Sequence, residues 1–197
     1  MDGEPGRGDR RAPAHGAYGP WKAGDMTNGR ILPKETGRRI GGSGLTLRVG
    51  ADLSPTWSMF EATVPPGFDV GAHYHYTAEE LFYIIDGELD LLAFHPKDGP
   101  VGDWRAWESA DGQRVLRGGP GCVLHVPAGC PHSFANPTTT PTKMIFMVTP
   151  VGHEHYLAEL TELLSRPGPP DHDAIIELGL KHDIQQLTPH VRGTRPS

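Results

Sequence analysis

The stretch from Gly67 to Gly87, GFDVGAHYHYTAEELFYIIDG, constrains this chain more than any other. His73 and His75 are two residues apart. Successive strand side chains point to opposite faces, so on a β-strand both imidazoles share one face. Glu80 follows a short turn later and opens an apolar run, Leu81 to Ile85, that ends in Asp86-Gly87. Asp-Gly between two apolar runs is a strong hairpin signal. The pattern predicts a strand with two histidines, a tight connection, a second strand starting with a carboxylate, and a hairpin into a third strand, Glu88 to Phe94. Two neutral imidazoles and a carboxylate form an N/O donor set that suits a first-row divalent metal such as Fe, Mn, Co, Ni or Zn.

Composition narrows the partners. The formal charge of -6 and the lack of a Lys/Arg cluster argue against nucleic acid and acidic membrane surfaces, and leave a small molecule as the expected partner. No apolar run approaches the ~18 to 20 residues of a membrane span, and the opening MDGEPGRGDRRAPAHG lacks an apolar signal-peptide core. A cytoplasmic protein is expected. Cys122 and Cys130 are the only cysteines, too few for a disulfide framework and not spaced as CxxC. Twenty-six glycines and twenty prolines in 197 residues favour short strands with many turns over a helical bundle.

Along the chain, residues 1–38 are rich in Gly, Pro, Arg and Asp, too poor in apolar periodicity to offset the entropy of ordering, and are expected as a loosely attached arm. Within it, Tyr18 and Trp21 are the aromatic residues that would pin it to the body or to a second subunit. Residues 39–150 read as strands: LTLRV from Leu45, WSMFEATV after Ser54-Pro55, the histidine stretch, GCVLHVPAGCPHSFAN from Gly121, and Lys143 to Val148. Between them, Val101–Glu108 pairs naturally with Gln113–Arg117 as a second hairpin around Asp111-Gly112, or the segment forms a long loop beside the site mouth. Over 151–187 the period shifts to about 3.6, with stripes Tyr156, Leu157, Leu160, Leu163, Leu164 and then Ile175, Ile176, Leu178, Leu180. Two helices follow, the second capped by Asp171 or Asp173. They are expected to cover a barrel face or complete a homodimer, with residues 188–197 as a tail.

A fourth ligand is needed to close the metal shell, and His132 is the best candidate, expected to reach across a small barrel from a strand that also carries Phe134 and Asn136. Three histidines and one glutamate leave coordination positions open, as a catalytic site requires. His125 is read as a core or edge histidine rather than a partner of the site. His153 and His155 repeat the HxH spacing, but at a helix start that spacing points them to different faces, and both are expected to stand apart from the metal. Cys130 reads as a small buried residue, and Trp104 and Trp107 as packing.

The same residues resemble the cupins. The first cupin motif, G-x5-H-x-H-x(3,4)-E-x6-G, is met by Gly67, His73, His75, Glu80 and Gly87. The second, G-x5-P-x-G-x2-H-x3-N, is met by Gly121, Pro127, Gly129, His132 and Asn136. The resemblance covers roughly Leu45 to Pro150 and implies an all-β fold, a small antiparallel barrel or double-sheet jelly roll, here with two C-terminal helices. VPPGFDVGAHYHYTAEELFYIIDGEL, VPAGCPHSFAN and MVTPVGHEHYLAEL also look like the single-domain, quercetin 2,3-dioxygenase-like group. That likeness implies one divalent metal on His73, His75, Glu80 and His132, most often Fe, Mn, Co or Ni, with Zn possible. It implies dioxygen insertion into an enolic or aromatic substrate, with Glu80 also the base for the substrate's hydroxyl proton. Phe82, Ile84 and Phe134 would line the substrate pocket. Two rival readings are a non-redox metal-dependent cyclase, isomerase or lyase, and a barrel that binds a small ligand without turnover.

Overall fold

Alternation of buried and exposed side chains defines the strands of the computed structural model, which describes residues 28–34, 36–41, 44–168 and 171–191. The chain divides into two units, Met1–Ile31 and Leu32–Ser197, and every element below belongs to the second. In order these are β1 (Arg38–Arg39), β2 (Leu45–Val49), β3 (Ser58–Val64), β4 (His73–His75), β5 (Glu79–Asp86) and β6 (Leu89–Ala93). A three-residue 3-10 helix follows (Trp104–Ala106), then β7 (Leu116–Gly118), β8 (Val123–Val126), β9 (His132–Ala135), β10 (Thr142–Thr149), α1 (His153–Ser165), α2 (His172–Lys181) and β11 (Ile184–Gln186). The strands form two antiparallel sheets, one in the order β1-β2-β3-β10-β5-β8 and one in the order β11-β4-β9-β6-β7. This is the double-sheet jelly roll expected, with two helices after it.

The main core joins both sheets. Phe60, Phe146 and Phe82 stand opposite one another on β3, β10 and β5. Their rings stack, with centroids 4.6 Å apart for Phe60 and Phe146 and 5.6 Å for Phe82 and Phe146. Leu89, Leu91 and Phe134 of the second sheet pack into the same cluster. A smaller cluster gathers Ala72, Leu92, Phe94 and Ala135 with Trp104 and Trp107. Both tryptophans are therefore packing residues. Trp104 Nε1 donates to the buried Asp69 carboxylate at 3.1 Å, and Arg105 pairs with the same group at 2.9 Å.

Several connections differ from the expected ones. Asp86-Gly87 does not close a hairpin. β5 already pairs with β10 and β8, and β6 pairs with β7 and β9, so the turn carries the chain from one sheet to the other. Gly87 sits at φ 83°, and a Cβ there would fall 2.5 Å from Thr142 Oγ1. Only glycine fits that corner. The hairpin expected within Val101–Glu108 and Gln113–Arg117 reduces to one bridge, Glu108 to Arg114, because Leu116 and Arg117 pair with β6 instead. Residues 1–27 of the expected arm, with Tyr18 and Trp21, lie outside the described residues. Its last part is anchored: the Arg48 guanidinium donates to the carbonyls of Leu32, Pro33, Lys34 and Thr36, and Arg38–Arg39 pair with β2. Within the expected tail, residues 188–191 are tied to 69–72, where Val191 bridges Asp69 and Ala72 N–H donates to Thr188 Oγ1 at 2.7 Å. Among the described residues no helix is long and apolar enough to cross a membrane.

Asp171 caps α2 through its side chain, accepting from Ala174 N–H at 3.0 Å. α1 has no side-chain cap at Gly152 and is fastened by Glu154 instead. The buried Glu154 carboxylate accepts from Ser58 Oγ at 2.5 Å, Gly152 N–H at 3.1 Å and Ala51 N–H at 3.1 Å. Burial alone would raise its pKa, but these donors hold it below the usual carboxylate range. A depressed folded pKa gives stability that is present above the ordinary glutamate value near 4.5 and lost as pH falls through the folded one. Glu154→Gln should therefore cost about 1.5–3 kcal/mol at pH 7, the scale of hydrogen bonds to a charged group. Denaturant melts should show the gap to wild type shrinking below about pH 4.5. A gap that is absent at pH 7, or constant down to acid, would contradict this.

Candidate metal centre

β4 places His73 and His75 on one inward face, as the HxH spacing predicts. Its neighbour β9 places His132 directly beside His73 in register. His132 is thus an adjacent residue and does not reach across the barrel as expected. The group that crosses is Glu80, on β5 of the other sheet, so the four side chains join the two sheets. One potential ligand atom from each lies within 4.8 Å of the others.

The burial of this polar set is nearly complete: His73 is 8% exposed, His75 2%, Glu80 3% and His132 0%. Two tautomers follow from backbone contacts. His73 Nδ1 lies 2.9 Å from Gly71 O and His132 Nδ1 lies 3.1 Å from Cys130 O. A carbonyl only accepts, so each Nδ1 carries a proton, and a ring bound to a metal would then use Nε2, the arrangement outer hydrogen bonds impose on metal-bound histidines. Glu80 Oε2 lies 2.8 Å from His132 Nε2 and 3.5 Å from His75 Nε2, yet none of these three atoms makes an aligned hydrogen bond. Buried polar atoms that converge on one point instead of on one another fit a shared cation. Three imidazoles and one carboxylate are a donor set for a first-row divalent metal.

The electrostatics agree. Burial, with His132 and His75 nearby, holds His73 well below the ordinary imidazole range and hence neutral at pH 7. Burial would also lower His75, but the Glu80 carboxylate more than offsets it and raises its pKa. For Glu80 burial pushes up, and His75 and His132 override it, holding the group well below the usual carboxylate range. Glu80 is thus an anion in a site of imidazoles, ready to neutralise part of a dication's charge.

A cavity of about 210 Å³ opens beside this set, with His73 and Glu80 in its lining. Phe68, Phe82, Phe134 and Phe146 give it aromatic walls, and Leu157, Leu160 and Leu164 of α1 give it an aliphatic one. Phe82 and Phe134 therefore stand where the sequence places them. Ile84 does not line this cavity: two residues beyond Phe82 it packs among Leu89, Leu91, Leu124 and Met144 in the core. His125 is exposed and pairs with Glu79 at 2.9 Å. The half-buried Cys130 acts through its carbonyl, which orients His132, and burial pushes its thiol pKa up.

His153 and His155 do point to different faces, but the expectation that both stand apart fails for His153. His155 is exposed, whereas His153 lines the cavity, its ring edge-on to that of His75 at 5.6 Å. Burial pushes its pKa down to about 4 despite the pull of Glu80. Tyr156, one turn on, also lines the cavity, and burial raises its phenol. His190 and Gln186, both from the C-terminal segment, are further lining residues that the sequence did not point to.

That segment also holds the ligand strands in place. β11 pairs with β4, setting Ile184 opposite His75. Asp183, at φ 68°, turns its carboxylate onto the β4–β5 connection and accepts from Thr77 N–H at 2.9 Å, Thr77 Oγ1 at 2.8 Å and Ala78 N–H at 3.2 Å. This turn lies between His75 and Glu80. Asp183→Ala should lower metal affinity about 10- to 100-fold, the scale of lost outer-shell support, as read by competition with a chelator. An unchanged affinity would show that the turn keeps its shape without Asp183.

The cupin family model matches residues 52–165, more than half of the chain, and the chain belongs to the cupin family. No curated protein matches the sequence. Among solved structures it is similar to KdgF from Halomonas sp., with 11% identity and a TM-score of 0.47 over 65% of this chain and 99% of that one. It is also similar to a variant of Bacillus subtilis oxalate decarboxylase OxdC, with 20% identity and a TM-score of 0.44 over 61% of this chain and 29% of that one. A third is DMSP lyase DddQ from Ruegeria pomeroyi, with 22% identity and a TM-score of 0.39 over 54% and 46% of the two chains.

Proposed function

We propose that this cupin is a metal-dependent dioxygenase acting on a small enolic or aromatic substrate. The observation that carries the reading is a buried set of three histidines and one glutamate, two of which, His73 and Glu80, open onto an aromatic-walled cavity. A redox-capable divalent ion held by His73, His75, Glu80 and His132 would supply Lewis acidity and electron transfer to dioxygen. The protein's own residues do the rest. Phe68, Phe82, Phe134 and Phe146 take up a flat ring and exclude water, which strengthens every charge interaction inside. Glu80, the one carboxylate of the set, accepts the substrate's hydroxyl proton.

The test is elemental analysis of the purified protein together with oxygen uptake on a panel of flavonols and other enols. The expected result is one redox-capable metal per chain and substrate-dependent oxygen consumption. Stoichiometric zinc with oxygen-independent turnover would replace this reading with a cyclase, isomerase or lyase. Binding without turnover under any reconstituted metal would leave a ligand-binding barrel.

A further inference from the structure

The first turn of α1 adds two polar aromatic side chains to a mostly aliphatic wall. Leu157, Leu160 and Leu164 line the cavity as an aliphatic surface, yet His153 and Tyr156 line it too. Being three residues apart on a helix, they share a face, and their ring centres are 5.4 Å apart. Phe60, edge-on at 6.2 Å, packs against the His153 ring. Among the described residues, neither the imidazole nitrogens nor the phenol hydroxyl of this pair has a hydrogen-bond partner. Polar groups that face a cavity without a protein partner are free to hydrogen-bond a ligand there.

We propose that His153 and Tyr156 form the second contact point for the substrate. The substrate class they select is a flat compound with two neighbouring oxygens, a hydroxyl beside a second hydroxyl or a carbonyl. One oxygen goes to the metal centre and the other to α1. This rests on the metal reading given above. A neutral imidazole offers one N–H and one lone pair, and the phenol adds an O–H, so together they match an oxygen that both accepts and donates. The aromatic walls hold the ring while its two neighbouring oxygens reach the two contact points. His153 stands outside the group of four ligand side chains, so its removal leaves the metal in place.

The experiment uses the metal-loaded full chain, 4-nitrocatechol as the two-oxygen probe and 4-nitrophenol as its one-oxygen counterpart. Absorbance titration should show tighter binding of the catechol by the wild type. His153→Phe and Tyr156→Phe should each weaken the catechol about tenfold, the scale of one lost hydrogen bond in a buried site. Nitrophenol affinity, metal content and melting temperature should not move. His153→Gln, which keeps a donor and an acceptor, should restore most of the catechol affinity. Equal catechol affinity in the wild type and both phenylalanine variants would overturn the proposal, as would a loaded wild type that does not bind the catechol. A wild type that takes up no metal fails the metal reading instead, and shows it at the elemental analysis. The same titrations on that metal-free protein then decide for the α1 pair alone.

Discussion

His132→Ala is expected to strip the protein of its metal. His132 is fully buried, its Nδ1–H is committed to Cys130 O, and its Nε2 lies 2.8 Å from Glu80 Oε2. β9 is a four-residue strand between β4 and β6, and alanine there leaves a hole with no donor atom. Losing outer-shell support alone costs about 10- to 100-fold in metal affinity, so losing a ligand outright should cost more than about 100-fold. After dialysis against a weak chelator, elemental analysis should find the wild type loaded and the variant nearly empty. Wild-type metal content in the variant would remove His132 from the ligand set. Folding should persist, because the strand pairs on either side are backbone ladders, and a melting curve run alongside separates metal loss from unfolding.

Glu80→Gln tests the chemistry. The amide keeps the volume and the strand geometry but carries no charge and cannot take a proton. Glu80 is the one carboxylate among the four ligands, so the variant should bind metal less tightly while the imidazoles still hold it at saturating concentration. A positioned proton acceptor contributes typically ~10²–10⁴-fold to rate, and oxygen uptake per bound metal should fall by that range. The comparison must be made at equal metal occupancy, which elemental analysis supplies. Wild-type turnover per metal would end the role of Glu80 as the base and leave it as a ligand alone. His153, which faces the same cavity and is neutral at pH 7, would then be the acceptor to test next.

Much of the centre could be read along the chain because its determinants are local. His73 and His75 share a face through the two-residue strand period, and Glu80 and Phe82 share theirs for the same reason. Asp171 caps α2 as a polar residue before an apolar stripe should. What failed were statements about which elements become neighbours. Asp86-Gly87 carries a turn signal that says where the chain bends, not whether the next strand returns to the same sheet. β5 had both edges taken by β8 and β10, and the chain crossed over. His153 was misplaced because helical spacing says which residues share a face but not what that face meets.

The sequence by itself determined the candidate ligand types, their order, the strand faces that carry them and the helical period after Gly152, since each depends on backbone geometry over a few residues. The tertiary structure alone decided that Glu80 comes from the opposite sheet, that His132 is the neighbour of His73, and that α1 and the segment after Asp183 close the cavity. Those contacts join residues far apart in the chain, such as Thr77 with Asp183, 106 positions away. No local period encodes such a pairing; it is settled by which apolar faces bury each other and which edge hydrogen bonds remain to be satisfied.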